Sequence, residues 1–212
     1  MLEPEGISAL LPRLPKYFTA VFASKRNSGK SFFIGCLVKE LIRTKKVDLV
    51  MVMSGSAGLN DDYDFLPKKL VIPFSEAILK KTWDRQVQAS KEHRKHILVV
   101  MDDCLSTPEA ISSHLVQRIF TLGRHVYISC IVASQVANWL LSPIIKQNSD
   151  IILWSKLNRH MLENVYEAMT GIDKKQFIKF AETYGGHDYI FVGFDNFTHC
   201  TDPGEFLFLI RA

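Results

Sequence analysis

Residues 17–33, YFTAVFASKRNSGKSFF, limit the possible folds of this chain more than any other stretch. Residues 18–23 form an apolar, β-branched and aromatic run, which predicts a buried strand. The run breaks into Ser24, Lys25, Arg26, Asn27, Ser28, Gly29, Lys30 and Ser31, and an apolar-periodic helix follows. Strand, small-residue loop ending Gly-Lys-Ser, then helix is the context a phosphate-binding loop requires. Successive backbone N–H groups and the helix N-terminus converge on one spot and attract an anion. Gly29 leaves room for the backbone to approach it. Lys30 brings a point charge to the β- and γ-phosphates, and the Ser31 hydroxyl can ligate Mg²⁺. The pattern G-x-x-x-x-G-K-[ST] asks for glycine where this chain has Ser24, a small residue in its place. An ordinary strand–turn–helix with a solvated lysine is the plain alternative. The flanking strand and helix favour nucleotide binding.

The chain has 212 residues, enough for one large domain, and its 47% hydrophobic content can fill a core. Residues 1–16 read as an N-terminal extension and 17–212 as a single nucleotide-binding domain. A net charge of +4 is compatible with a polyanionic partner without demanding one. Cys36, Cys104, Cys130 and Cys200 form no C-x-x-C pair, so free thiols in a reducing compartment are expected. The histidines show no ligand spacing. Residues 1–16 carry acids and prolines instead of an apolar centre, so no signal peptide is expected. Residues 126–145 match a membrane span in length, but their polar residues and change of period predict a buried strand and a short helix.

Along the chain, residues 1–15 predict an extended leader. Residues 30–44 predict a helix with Phe33, Leu37, Leu41 and Ile42 on one face. Strands are expected at 47–53, 95–101, 126–133 and 151–154, with a short extended piece at 70–73 and a long loop at 54–64. Helices are expected at 75–94, from the Thr107-Pro108 start signal to about Gly123, and at 158–169 and 173–184 around a hinge at 170–172. Two late strands, 189–194 and 206–210, flank the turn Asp202-Pro203-Gly204. Strands alternating with helices imply a mostly parallel α/β sheet covered on both faces, the late pair joining it antiparallel at one edge. Trp139, Trp154, Phe177, Phe180 and Tyr184 are read as core.

The second chemical signal is residues 97–103, ILVVMDD, a buried strand ending in two carboxylates. Ligands bind at the carboxyl ends of strands in open α/β sheets. Asp102 there can hold Mg²⁺ opposite Ser31, and Asp103 can act as general base on water. Gln135, at the tip of the strand through Ser134, can sense the γ-phosphate or orient water; a Ser-Gln at a strand end also serves as a helix N-cap. Arg124 sits at the opposite end of that strand. It can reach a neighbouring subunit's nucleotide in trans, or stand as a structural or solvated arginine.

SKRNSGKS (24–31), ILVVMDD (97–103) and RHVYISCIVASQ (124–135) together resemble the genome-packaging ATPases of nucleocytoplasmic large DNA viruses and virophages, which are similar to the poxvirus packaging ATPase and belong to the FtsK–HerA superfamily. The resemblance covers residues 17–154. It implies a three-layer P-loop NTPase of the ASCE type, with Walker A at 24–31, Walker B at 97–103 and the sensor strand beside the phosphate-loop strand. It implies ATP and Mg²⁺ as cofactors and a ring of five or six copies. That ring would move double-stranded DNA into a capsid at a portal vertex, in the host cytoplasm or on the virion, with no membrane span. By position, Lys25 through Ser31 cradle the nucleotide, Ser31 and Asp102 hold the metal, and Asp103, Gln135 and Arg124 are catalytic, the last in trans. DNA would meet Lys68-Lys69, or the basic stretch with Lys80, Lys81 and 91–95. A P-loop nucleotide kinase and a nucleotide-gated scaffold are the competing readings.

Overall fold

Apolar runs without alternation are stable only where both faces of a strand are covered, and the computed structural model of the chain covers them with helices. It describes residues 3–59, 61–104, 113–135, 143–167, 173–196 and 206–212. The strands are β1 (Glu5–Gly6), β2 (Thr19–Ser24), β3 (Leu49–Ser54), β4 (Val71–Ile72), β5 (Ile97–Asp102), β6 (Ile128–Ser134), β7 (Ile151–Ser155), β8 (Ile190–Asp195) and β9 (Leu207–Arg211). They make one sheet in the order β1-β9-β8-β7-β2-β6-β5-β3-β4. β2 lies between β6 and β7 and runs parallel to both. The antiparallel pairs are β7 with β8 and β8 with β9. The sheet is therefore mostly parallel, with the late strands added antiparallel and the strand that ends before Gln135 beside the phosphate-loop strand.

The helices are α1 (Lys30–Arg43), α2 (Glu76–Gln88), α3 (His114–Leu122), α4 (Pro143–Gln147), α5 (Arg159–Tyr166) and α6 (Lys174–Tyr184). Alternate residues of β2 supply two cores. Ala20 and Phe22 face α1, packing with Phe33, Leu37 and Leu41. Val21 and Ala23 face the other side, among Leu79 of α2, Ile119 of α3, Val165 of α5 and Phe177 of α6. Helix starts follow side-chain capping: Ser75, Ser113, Asn158 and Asp173 each accept a backbone N–H from the first turn.

Several expectations are corrected. The leader is not merely extended: β1 pairs in parallel with β9, and a 3₁₀ turn over Ile7–Arg13 puts Leu10 and Leu11 into the α1-side core. Ile42 is 41% exposed, off the buried stripe of α1. α2 stops at Gln88 because Arg94 folds back, its guanidinium donating to the carbonyls of Gln86 and Ala89. Such a cation satisfies acceptors that a helix C-terminus leaves open. Trp154 and Phe177 are buried as expected, with Phe180 and Tyr184 packed against the same core. Cys36, Cys104 and Cys130 are free, and burial pushes the Cys104 thiol up to about 12. The Thr107-Pro108 start, Trp139, the 170–172 hinge, Cys200 and the Asp202-Pro203-Gly204 turn lie outside the described residues. No described helix is long and apolar enough to cross a membrane.

Candidate active site

Parallel neighbours end on the same edge of a sheet, and here the adjoining strands β5, β6 and β2 bring their carboxyl ends together. In register, Asp102 pairs with Ala133 and Ala23 with Ser134. The residues just beyond those tips enclose a cavity of about 320 Å³, lined by Lys25 through Phe32 with Ser56, Asp62, Asp103 and Gln135.

The loop itself explains the Ser24 departure. Ser24 is fully buried, keeps a negative φ, and its hydroxyl accepts from Ser28 Oγ at 2.8 Å. A side chain at that position therefore closes the base of the loop. Gly29 has no such freedom. Its φ is +81°, and a Cβ there would fall 2.7 Å from the ring of Tyr189, so both conformation and space require glycine.

Lys30 opens α1, is only 5% exposed, and donates from Nζ to Asp103 Oδ1 at 2.5 Å. Asp103 takes a left-handed φ of 50° that turns it off the strand, and its Oδ2 accepts from Gln135 Nε2 at 2.9 Å. One carboxylate thus ties the loop lysine to the tip of the neighbouring strand.

Asp102 lies beneath, 1% exposed. Its Oδ2 accepts from Tyr63 Oη at 3.0 Å, while its buried Oδ1 has no hydrogen-bond partner. Burial pushes the Asp102 carboxyl up; the Lys30 charge and the Ser31 hydroxyl act against that rise. Burial, followed by the charge of Asp102, pushes the Tyr63 phenol well up, so it stays a donor. An orphaned carboxylate oxygen beside a serine hydroxyl fits a hard cation, which takes oxygen ligands. Among the described residues no cluster of three or more His, Cys, Asp or Glu side chains gathers for a metal, so phosphate and water oxygens would complete the shell.

Tyr63, Ser56 and Asp62 escaped the sequence reading because residues 54–64 show only a polar loop. The one signal was an aromatic residue within it. Arg124 is not brought to this cavity. It precedes β6, whose seven residues span about 20 Å, and it lines a different cavity of about 810 Å³ with Tyr17, Thr19 and Asp150. There its charge favours the ionised Asp150, whose carboxyl is raised chiefly by burial.

No protein-family model matches the chain. Uncharacterized protein 075L of Invertebrate iridescent virus 6 is 27% identical over 96% of this chain and 81% of its own length. Uncharacterized protein 015R of Frog virus 3 (isolate Goorha) is 27% identical over 74% of this chain, which spans about half, 49%, of that relative. Among solved structures, the genome-packaging NTPase B204 of Sulfolobus turreted icosahedral virus 2 in complex with ATP-gammaS superposes with a TM-score of 0.66 at 13% identity, covering 93% of this chain and 98% of its own. The chain has the fold of a viral genome-packaging NTPase. The packaging-NTPase fold is shared more widely: the cytoplasmic domain of the Thermomonospora curvata Type VII secretion ATPase EccC has a TM-score of 0.60 at 15% identity, over 92% of this chain and 25% of its own.

Proposed function

We propose that the chain is an ATP-hydrolysing motor that moves double-stranded DNA into a viral capsid. The observation that carries this reading is the convergence of Lys30, Asp103 and Gln135 on the phosphate-loop cavity, with Asp102 beneath. Asp103 is ion-paired with Lys30. A γ-phosphate at Lys30 competes for that ammonium and releases Asp103 Oδ1, which can then accept a proton from the attacking water. Gln135, already bonded to Asp103, is placed to orient the water or contact the γ-phosphate. Ser31 and Asp102 would hold Mg²⁺, which when bound neutralises charge on the phosphates.

The packaging-NTPase fold and the viral relatives support a packaging role in the host cytoplasm or on the virion. A ring of five or six copies around DNA would place Arg124 of one subunit toward the nucleotide of the next. Lys68 and Lys69 are exposed, and so are Lys80, Lys81, Lys91 and Lys95, so both basic stretches are candidates for phosphate contact.

The test is the ATPase rate with and without double-stranded DNA, measured alongside mass in solution. Turnover that DNA stimulates, in a ring-sized species, and its loss in Lys30→Ala, are expected. DNA-insensitive phosphate transfer to a nucleoside monophosphate would replace the motor with a kinase. Binding without turnover, DNA present or not, would replace it with a scaffold.

A further inference from the structure

Next to the phosphate cavity opens a second one of about 720 Å³, which shares Asn27, Gly29 and Phe32 with it and is otherwise lined by Asp188, Tyr189, Arg211 and Ala212. Two aromatic rings stand in it uncovered. Phe32, directly after Ser31 on the first turn of α1, is 50% exposed, and Tyr189, directly before β8, is 52% exposed. The rings meet edge to face with centroids 6.0 Å apart.

The backbone of Tyr189 is unusual. Its φ is +58°, a left-handed conformation that bulky residues rarely adopt and that clusters at ligand clamps. Neighbours maintain it: the Ala212 N–H donates to the Tyr189 carbonyl at 3.1 Å, and Lys156 pairs with the adjacent Asp188. The result is that the ring lies directly over Gly29. An exposed aromatic held there at a conformational cost does nothing for the core.

We propose that Tyr189 and Phe32 form the stacking platform for the base of the nucleotide. This inference rests on the phosphate-loop reading. A nucleoside triphosphate anchored at Lys30 extends its base beyond the phosphate cavity, and the cavity of Tyr189 and Phe32 adjoins it through the shared lining residues Asn27, Gly29 and Phe32. Base faces stack on aromatic rings whatever their edge pattern. Arg211, whose guanidinium offers only donors, lines the same cavity and suits the acceptor nitrogens of a base.

The experiment is calorimetric binding of two probes with Mg²⁺: the non-hydrolysable ATP analogue AMPPNP, and inorganic tripolyphosphate, which has no base. Tyr189→Ala is expected to weaken AMPPNP roughly 5- to 100-fold and to leave tripolyphosphate unchanged, which also shows that the variant is folded. Tyr189→Phe keeps the ring and is expected to bind AMPPNP as the wild type does. Phe32→Ala should weaken AMPPNP alone. Unchanged AMPPNP affinity in Tyr189→Ala, or an equal loss of both probes, would overturn the platform. Wild-type protein that binds neither probe would overturn the phosphate-loop reading beneath it.

Discussion

Asp103 has two partners, Lys30 and Gln135, and a general base must give up at least one of them. Under the proposed mechanism, exchange with incoming phosphate frees the carboxylate when nucleotide binds. Asp103→Asn removes the competing charge but keeps a similar shape. It is expected to bind ATP at least as tightly as the wild type and to hydrolyse it roughly 10²- to 10⁴-fold more slowly. Equilibrium binding and single-turnover rates measure the two separately. If binding is lost instead, Asp103 belongs to the fold or the metal. Lys30 is only 5% exposed, so the charge left without its partner is expected to lower stability, and a urea unfolding midpoint read beside binding separates a loss of fold from a loss of catalysis. Asp102 is different: it is 1% exposed with one oxygen orphaned, which fits the proposed role of cation ligand.

The leader shows how a short element can count for more than its length. Residues Ile7–Arg13 form a single 3₁₀ segment, yet Leu10 is fully buried and Leu11 and Leu14 nearly so, against the face of α1 that starts at the phosphate loop. Lys46, just past α1, donates to the Leu11 carbonyl at 2.5 Å and fastens the segment from the other side. Leu10→Ala is therefore expected to cost about 2–5 kcal/mol, read as a lower midpoint in urea unfolding with the slope unchanged. A cost below about 1 kcal/mol would show that the leader opens independently of the core. The prolines at 4, 12 and 15 that suggested an extended chain are compatible with this turn, because a 3₁₀ segment this short leaves few backbone donors for proline to interrupt.

Taken together, the described strands separate two ends of the sheet. The carboxyl ends of β2, β5 and β6 hold the phosphate cavity; the amino ends of β2, β6 and β7 border the cavity of Arg124, Thr19 and Asp150. A residue about one strand length from its own nucleotide can act on a nucleotide only in another copy. Mixing Arg124→Ala subunits with Lys30→Ala subunits should restore ATPase activity that neither variant has alone, with a maximum at intermediate ratios. Absence of rescue at every ratio would leave Arg124 as the partner of Asp150 and nothing more.

What was legible in the sequence is what local physics writes locally. An apolar run records a strand covered on both faces, Gly-Lys-Ser at a helix start predicts an anion site, and the helices expected from 75, 158 and 173 do begin there, at Ser75, Asn158 and Asp173, whose caps the structure shows. The loop, its acidic strand and the direction of the sheet followed from these. Only the tertiary structure decided which side chains meet. Tyr63 reaches Asp102 across 39 positions, Gln135 reaches Asp103 across 32 and Lys30 reaches Asp103 across 73. Tyr189 closes over Gly29 from the far side of the chain. Periodicity and propensity describe a residue's relation to its own segment. The partner of a loop residue is set by how strands order themselves in the sheet, and no pattern within the segment encodes that order.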